Sequence, residues 1–338
     1  MSPRLPFGQR SKPRVYVTRQ LPGDALERLR RDALVEVWDR DEPPPRDELL
    51  RATAGVEGLL CLLTDNIDAG LLDEGPRLRV VSTMAVGYDH IDVDAATEHG
   101  VAVCHTPGVL TETTADFAFA LLLAVARRLP EGERAVREGR WTTWHPSFLV
   151  GRDVGGATLG LVGLGQIGQA VARRARGFEM RVLYHSRSRN PEVERELGCT
   201  YAPFEELLSL ADFVSVHVAL TPETRHLFNE AAFQRMKPTA MFVNTSRGAV
   251  VDEAALHHAL ASHQIAAAAI DVTETEPLSP HDPLLRLSNL LVTPHMASAS
   301  VATRARMAGL AADNLLAVLA GKQPPHCINP QVLSEPAD

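Results

Sequence analysis

From Arg14 onward, short apolar runs alternate with longer stretches of helical spacing. The first runs are RVYVT at Arg14, VEVW at Val35, GLLCLL at Gly58, LRVVSTM at Leu78 and VAVCHT at Val101. A second series follows: TLGLV at Thr158, RVLYH at Arg181, FVSVHV at Phe213, MFVNTS at Met241, IAAAAIDV at Ile265 and LLVTPH at Leu290. Strands alternating with helices predict parallel sheets flanked by helices, an α/β fold. DEPPPRDE at Asp41 reads as a surface loop leading into a helix. Residues 111–129 read as one long helix, with Thr111 or Thr113 able to cap its start and Arg127 and Arg128 suited to its end. It is apolar on nearly all sides, which predicts a buried element between domains. The arm EGRWTTWHPSFLVGRDVGG at Glu138 has two tryptophans and no periodicity, the mark of a functional or interface segment. Residues 301–321 form a last helix with Met307, Leu310, Ala311, Leu315, Val318 and Leu319 on one face.

The 338 residues suit two domains rather than one core. A net charge of -8 argues against a general nucleic-acid binder or a membrane-surface protein. The longest apolar run, 117–126, is too short to cross a bilayer. Cys61, Cys104, Cys199 and Cys327 have no paired or metal-binding spacing, which fits a reducing, cytoplasmic setting. His257 and His258 are adjacent on a helix and do not share a face, so no metal is expected. Residues 1–13 are polar and basic, lack the apolar middle of a secretion signal, and read as a disordered tail. Residues 331–338 read as a second tail.

Gly163, Leu164, Gly165, Gln166, Ile167 and Gly168 fit GxGxxG between an apolar strand and a helix. The first glycine permits a tight turn, the second lets backbone approach a pyrophosphate, and the third lets helix and strand pack closely. The helix start then offers N–H groups and a positive dipole to phosphates. At the end of the next strand, an NAD site usually carries an acid for the ribose diol. Here stand His185, Ser186, Arg187, Ser188 and Arg189. Two guanidinium and two hydroxyl groups suit a 2′-phosphate, which predicts NADPH, with NADH bound more weakly.

Three further segments each follow an apolar strand: Asn244-Thr245-Ser246-Arg247-Gly248, Asp271 to Pro277 (DVTETEP), and Thr293-Pro294-His295. In a doubly wound sheet that edge is where ligands bind. Reducing a 2-oxo acid needs a cation for the carboxylate and the carbonyl, and Arg247 supplies a fork of donors. It needs a proton for the developing alkoxide; histidine is the side-chain type that exchanges protons near neutrality, which selects His295. It needs a carboxylate to orient the imidazole, which selects Glu276.

GLGQIG, NTSRGAVVDEAAL, DVTETEPL and TPH together resemble the D-isomer-specific 2-hydroxyacid dehydrogenases, over about residues 14–330. The resemblance implies two doubly wound, Rossmann-like domains. The substrate domain is discontinuous, 14–108 plus 298–330, around a dinucleotide domain at 109–297. VEVWDRDEPPP, STMAVGYDHID, TPGVLTETTADFA and GRWTTWHP look most like the branch that reduces glyoxylate and hydroxypyruvate. By that match Val86 and Gly87 offer backbone amides to the substrate carboxylate. Arg247, Glu276 and His295 take the substrate-binding, relay and proton-donor roles. Asp271 and Ser298 join the substrate side. Gly165, Gln166, Ile167, Ser186, Arg187, Ser188, Arg189, Ala219, Thr245 and Ala297 fall on cofactor-contacting positions, and Asp271 near the nicotinamide carboxamide. The family forms homodimers through the cofactor domain, and Trp144 matches a residue that lines the partner's pocket.

Ala297 and Ala219 depart from the family's usual glycine and proline, and Ala268-Ala269-Ile270-Asp271-Val272 stands for AGLDV. A methyl at Ala297 is expected to crowd the nicotinamide. The alternatives are a broader 2-keto-gluconate-type reductase and an NAD(H)-sensing corepressor on the same fold.

Overall fold

The computed structural model describes residues 12–333. The N-terminal tail up to Ser11 and residues 334–338 lie outside them. The chain forms two units. One runs to Leu110 and resumes at Ser300; the other is Thr111–Ala299. The resemblance implies crossings at 108/109 and 297/298.

The first unit holds a parallel sheet of β1 (Arg14–Val17), β2 (Leu34–Val37), β3 (Gly58–Cys61), β4 (Val80–Thr83) and β5 (Ala102–Cys104), in the order β2-β1-β3-β4-β5. β3, β4 and β5 are buried throughout, whereas edge strand β2 alternates between exposed and half-buried positions. A parallel sheet covered on both faces needs continuous apolar strands; of its two edges, β2 alternates, whereas β5 is buried and bridged by Cys327 at Cys104. The helix Val301–Leu319 packs on this sheet, where Ser82 Oγ donates to the Ala311 carbonyl at 2.8 Å. Asn314, buried in that helix, donates to the His105 carbonyl and accepts from the His326 N–H. The chain end is structured further than expected, because Pro330–Val332 forms a 3-10 turn.

The second unit holds β6 (Thr158–Val162), β7 (Arg181–His185), β8 (Thr200–Tyr201), β9 (Phe213–Val216), β10 (Met241–Asn244), β11 (Ala267–Ile270) and β12 (Leu290–Val292). Their order is β12-β11-β10-β9-β6-β7-β8, and every pairing is parallel. β8 has two residues, too few to register as an apolar run. The chain winds outward from β6 to β7 and β8, then returns to β9 on the other side. That reversal opens a crevice at the carboxyl ends of β6 and β9.

The helix Thr111–Ala126 corrects two expectations. It belongs to the core of the second unit, where Ala115, Ala118 and Leu122 cluster with Ala170 and Val171 of the helix Gln166–Arg176. Arg174 pairs with Asp116 at 2.6 Å and Glu112 at 2.9 Å across the same contact. It also ends early. Arg128 turns left-handed at φ 53°, and a separate helix, Leu129–Arg137, begins. Pro130 explains the break: within one continuous helix it would lack an N–H and clash with the carbonyl four residues back.

Candidate active site

The glycine loop leaves β6 at the crevice. Gly163 has φ 101°, and a Cβ there would stand 2.6 Å from the His217 carbonyl oxygen. A Cβ on Gly168 would stand 2.2 Å from the Gly163 oxygen. Both glycines are therefore required by the fold. Gly165 differs: a Cβ there would meet nothing within 4 Å, so its lack of a side chain leaves open space. Gly165 caps the helix Gln166–Arg176 without any side-chain hydrogen bond. The first-turn N–H groups have no intrahelical acceptor, so Gln166 and Ile167 border a cradle for a pyrophosphate. Across the crevice, the buried Thr245 hydroxyl finds no hydrogen-bond partner among the described residues, which marks a ligand-facing position. Ala219 is exposed on the loop after β9. His217 precedes it, its ring 2.9 Å from Ser215 Oγ, and burial pushes its pKa down to about 4. These residues fit a dinucleotide.

The loop after β7 departs from expectation. Arg187, Ser188 and Arg189 are exposed, and the Ser186 hydroxyl donates to the Ser188 carbonyl at 2.6 Å. Arg189, however, grips Glu194 through Nε at 2.7 Å and Nη2 at 2.9 Å. Glu194 also accepts the Tyr184 hydroxyl at 2.7 Å. Together these bonds hold the Glu194 pKa down at about 2. Arg189 is thus held against the helix Pro191–Leu197. Arg187 is exposed, and its charge helps to hold the Glu223 carboxyl below its ordinary value.

Three loops at the ends of β10, β11 and β12 carry the acid–base set. Asn244 organises the first: its Oδ1 accepts the Ser246 N–H and hydroxyl, and its Nδ2 donates to the Arg247 carbonyl. Arg247 follows in extended backbone, and its Nη1 donates to the Ser246 carbonyl at 2.9 Å. A Cβ on Gly248 would stand 1.9 Å from the Thr273 carbonyl carbon, so only glycine lets the first two loops touch. The Thr273 N–H donates to Glu276 Oε1 at 3.1 Å. Glu276 Oε2 lies 2.7 Å from His295 Nδ1.

Burial pushes the Glu276 carboxyl up. The His295 hydrogen bond and charge, the Thr273 N–H and the Arg247 charge outweigh it and hold the carboxyl below its ordinary value. His295 sits at φ 50°, an uncommon backbone for a side chain with a Cβ. Asp271, 1% exposed, holds the loop around it. Its Oδ1 accepts the Thr293 hydroxyl at 2.6 Å and the Met296 N–H at 2.9 Å, and its Oδ2 accepts the Ala297 N–H at 2.7 Å. Sequence reasoning placed Asp271 against ligand and missed this supporting role. It also gave no role to Asn244, Gly248, Tyr184 and Glu194: Gly248 meets the backbone of Thr273 in another loop, and Glu194 binds the side chains of Arg189 and Tyr184, five and ten residues back. Ala297 is buried and Ser298 half-buried beside the same carboxylate loop.

In the first unit Val86 and Gly87 follow β4. The Val86 carbonyl takes a hydrogen bond from His105 Nδ1 at 2.8 Å, so His105 fixes this turn. In the arm after Leu129–Arg137, Trp141 is 60% exposed and Trp144 79%. Among the described residues no cluster of three or more His, Cys, Asp or Glu is placed to hold a metal, and no helix is long and apolar enough to cross a membrane.

The family model described as D-isomer specific 2-hydroxyacid dehydrogenase, NAD binding domain, matches residues 119–297. The chain is 51% identical to a glyoxylate reductase of Korarchaeum cryptofilum, over 95% of this chain and 97% of that protein. A crystal structure of the TT0316 protein from Thermus thermophilus superposes with a TM-score of 0.88 at 51% identity, covering 93% of this chain and 99% of the other. A Sinorhizobium meliloti NADPH-dependent glyoxylate/hydroxypyruvate reductase, solved with NADP and malonate, superposes with a TM-score of 0.84 at 35% identity, covering 97% and 100%.

Proposed function

We propose that this chain, which belongs to the D-isomer specific 2-hydroxyacid dehydrogenase family, reduces glyoxylate to glycolate and hydroxypyruvate to D-glycerate, with NADPH preferred over NADH. The observation that carries the reading is the 2.7 Å contact of Glu276 with His295, on the same strand edge as the open cradle at Gly165. Supporting it are the names of the relatives, the basic loop at Arg187 and the lack of an acid at the end of β7.

A bound nicotinamide supplies the hydride. Arg247 holds the substrate carboxylate and draws electron density toward the carbonyl oxygen. His295 engages Glu276 through Nδ1, which leaves Nε2 to give a proton to the oxygen as it becomes an alkoxide. The Glu276 carboxylate keeps the ring oriented before and after transfer. Asp271 works at one remove, by fixing the backbone on both sides of His295. The apolar surface of Trp141 and Trp144 is the contact through which two copies pair, with Trp144 bordering the partner's substrate. Light scattering should give twice the chain mass.

Initial rates with glyoxylate, hydroxypyruvate, pyruvate and 2-keto-gluconate, each with NADPH and NADH, test the assignment. Glyoxylate and hydroxypyruvate with NADPH should have the highest kcat/KM. A best rate with 2-keto-gluconate would reassign the substrate. Cofactor binding without turnover would mean a sensing protein instead.

A further inference from the structure

The loop after β7 carries two arginines; Arg189 is ion-paired with Glu194, whereas among the described residues Arg187 has no ion pair and meets the charge of Glu223 only through space. Arg189 makes a two-pronged contact with Glu194, and the same carboxylate accepts the Tyr184 hydroxyl. Tyr184 Oη in turn accepts the Asn190 N–H at 3.0 Å. One side chain from β7, one from the loop and one from the helix Pro191–Leu197 therefore form a closed set. The Glu194 side chain is mostly buried, at 12% exposure, while Arg189 is 62% exposed. A bidentate guanidinium–carboxylate pair fixes geometry and cancels charge. Arg189 then brings little net positive potential to an incoming dianion, and moving it to a new acceptor would strip Glu194 of two hydrogen bonds.

We propose that Glu194 is a cofactor-specificity residue: by neutralising and anchoring Arg189, it leaves Arg187 as the arginine that reads a 2′-phosphate. This rests on the NADPH reading above. Glu194 acts through Arg189, as a positioning residue that limits how strongly the loop selects NADPH. The Glu194–Tyr184 contact also keeps the loop shaped for Arg187 when no ligand is bound.

The test compares binding of adenosine 2′,5′-diphosphate and adenosine 5′-monophosphate to the full chain by titration calorimetry. The two probes differ only in the 2′-phosphate, so their affinity ratio reads its recognition alone. Four variants are needed: Arg187→Ala, Arg189→Ala, Glu194→Gln, and Glu194→Gln with Arg189→Ala. Glutamine keeps an acceptor for Tyr184 but releases the charge of Arg189. Glu194→Gln should raise affinity for the diphosphate about tenfold, as for one added hydrogen bond to a charged group, and leave the monophosphate unchanged. Arg189→Ala should hold the wild-type ratio while Arg187→Ala lowers it. The double variant should lose the gain. The inference is overturned if Glu194→Gln gives no gain, if the double variant keeps it, or if Arg189→Ala costs as much selectivity as Arg187→Ala. Equal binding of both probes by the wild-type chain would instead overturn the NADPH reading, and the inference with it.

Discussion

The two edges of the cofactor-unit crevice are built on opposite plans. At the acid–base edge, three loops are cross-bonded through Asn244, Asp271 and the Thr273 N–H, and Gly248 lets backbone meet backbone. At the nucleotide edge, Gly165 faces open space and Arg187 faces solvent. The difference follows the chemistry. Proton transfer demands a donor fixed to within a fraction of an ångström, so its supports are buried. Phosphate recognition works through charge at a distance and tolerates an exposed, adjustable donor.

Breaking the donor itself should give the largest effect. His295→Ala should lower kcat by ~10²–10⁴-fold, the usual worth of general acid–base catalysis, while NADPH binding persists. Stopped-flow rates and cofactor titration separate the two. Near-normal turnover would remove His295 from the mechanism.

Arg187→Ala should act on the other edge alone. It should raise the KM for NADPH about ten- to a hundredfold, the value of one hydrogen bond to a charged group, and leave that for NADH nearly unchanged. The proposed preference for NADPH should weaken at high salt, because Arg187 is exposed. Equal loss with both cofactors would show that Arg187 supports the fold instead.

Legibility in the sequence divides along the same line. The placement of GxGxxG, Arg247, Glu276 and His295 at strand ends was readable because each motif is local and follows an apolar strand. The five- and seven-stranded sheets followed from the alternation of runs, except β8, too short to leave a pattern. Residues 127–129 read as the last turn of the helix because Arg127 and Arg128 suit a helix end; Pro130 instead starts a new helix there. What stayed hidden were contacts of long sequence separation: Asp271 with Ala297, Gly248 with Thr273, Val86 with His105. Nothing in the residues around Asp271 distinguishes a ligand-facing carboxylate from one committed to a neighbouring loop. The Arg189–Glu194 pair is only five residues apart, yet it depends on Tyr184 projecting from β7.

Asp271→Asn should separate support from chemistry within the acid–base edge. A neutral amide cannot accept on both sides, so all three donors lose a charged acceptor and at least one loses its acceptor altogether. A loss of ~2 kcal/mol is expected, which lowers the thermal midpoint by about 4–8 °C. kcat should fall less than in His295→Ala. An unchanged midpoint would mean that the loop keeps its shape without Asp271.

The smallest effect is a difference in pH response between the edges. Glu276 is held below its ordinary value because, against burial, the His295 bond and charge win. A lowered folded value means that the stabilisation is fully present above the unfolded value of 4.5 and is lost as pH falls through the folded one. The gap in thermal midpoint between wild type and His295→Ala should therefore be widest above pH 4.5 and shrink on acidification. Glu194 is held much lower, at about 2, chiefly by Arg189 and then by Tyr184. Over the pH range in which the Glu276 gap closes, the gap between wild type and Glu194→Gln should stay nearly flat, since its carboxyl does not yet take up a proton. Calorimetric scans at a series of pH values read both gaps on the same footing. A His295→Ala gap that stayed constant or widened in acid would mean that His295 does not hold the Glu276 carboxylate, and the contrast between the edges would then rest on packing alone.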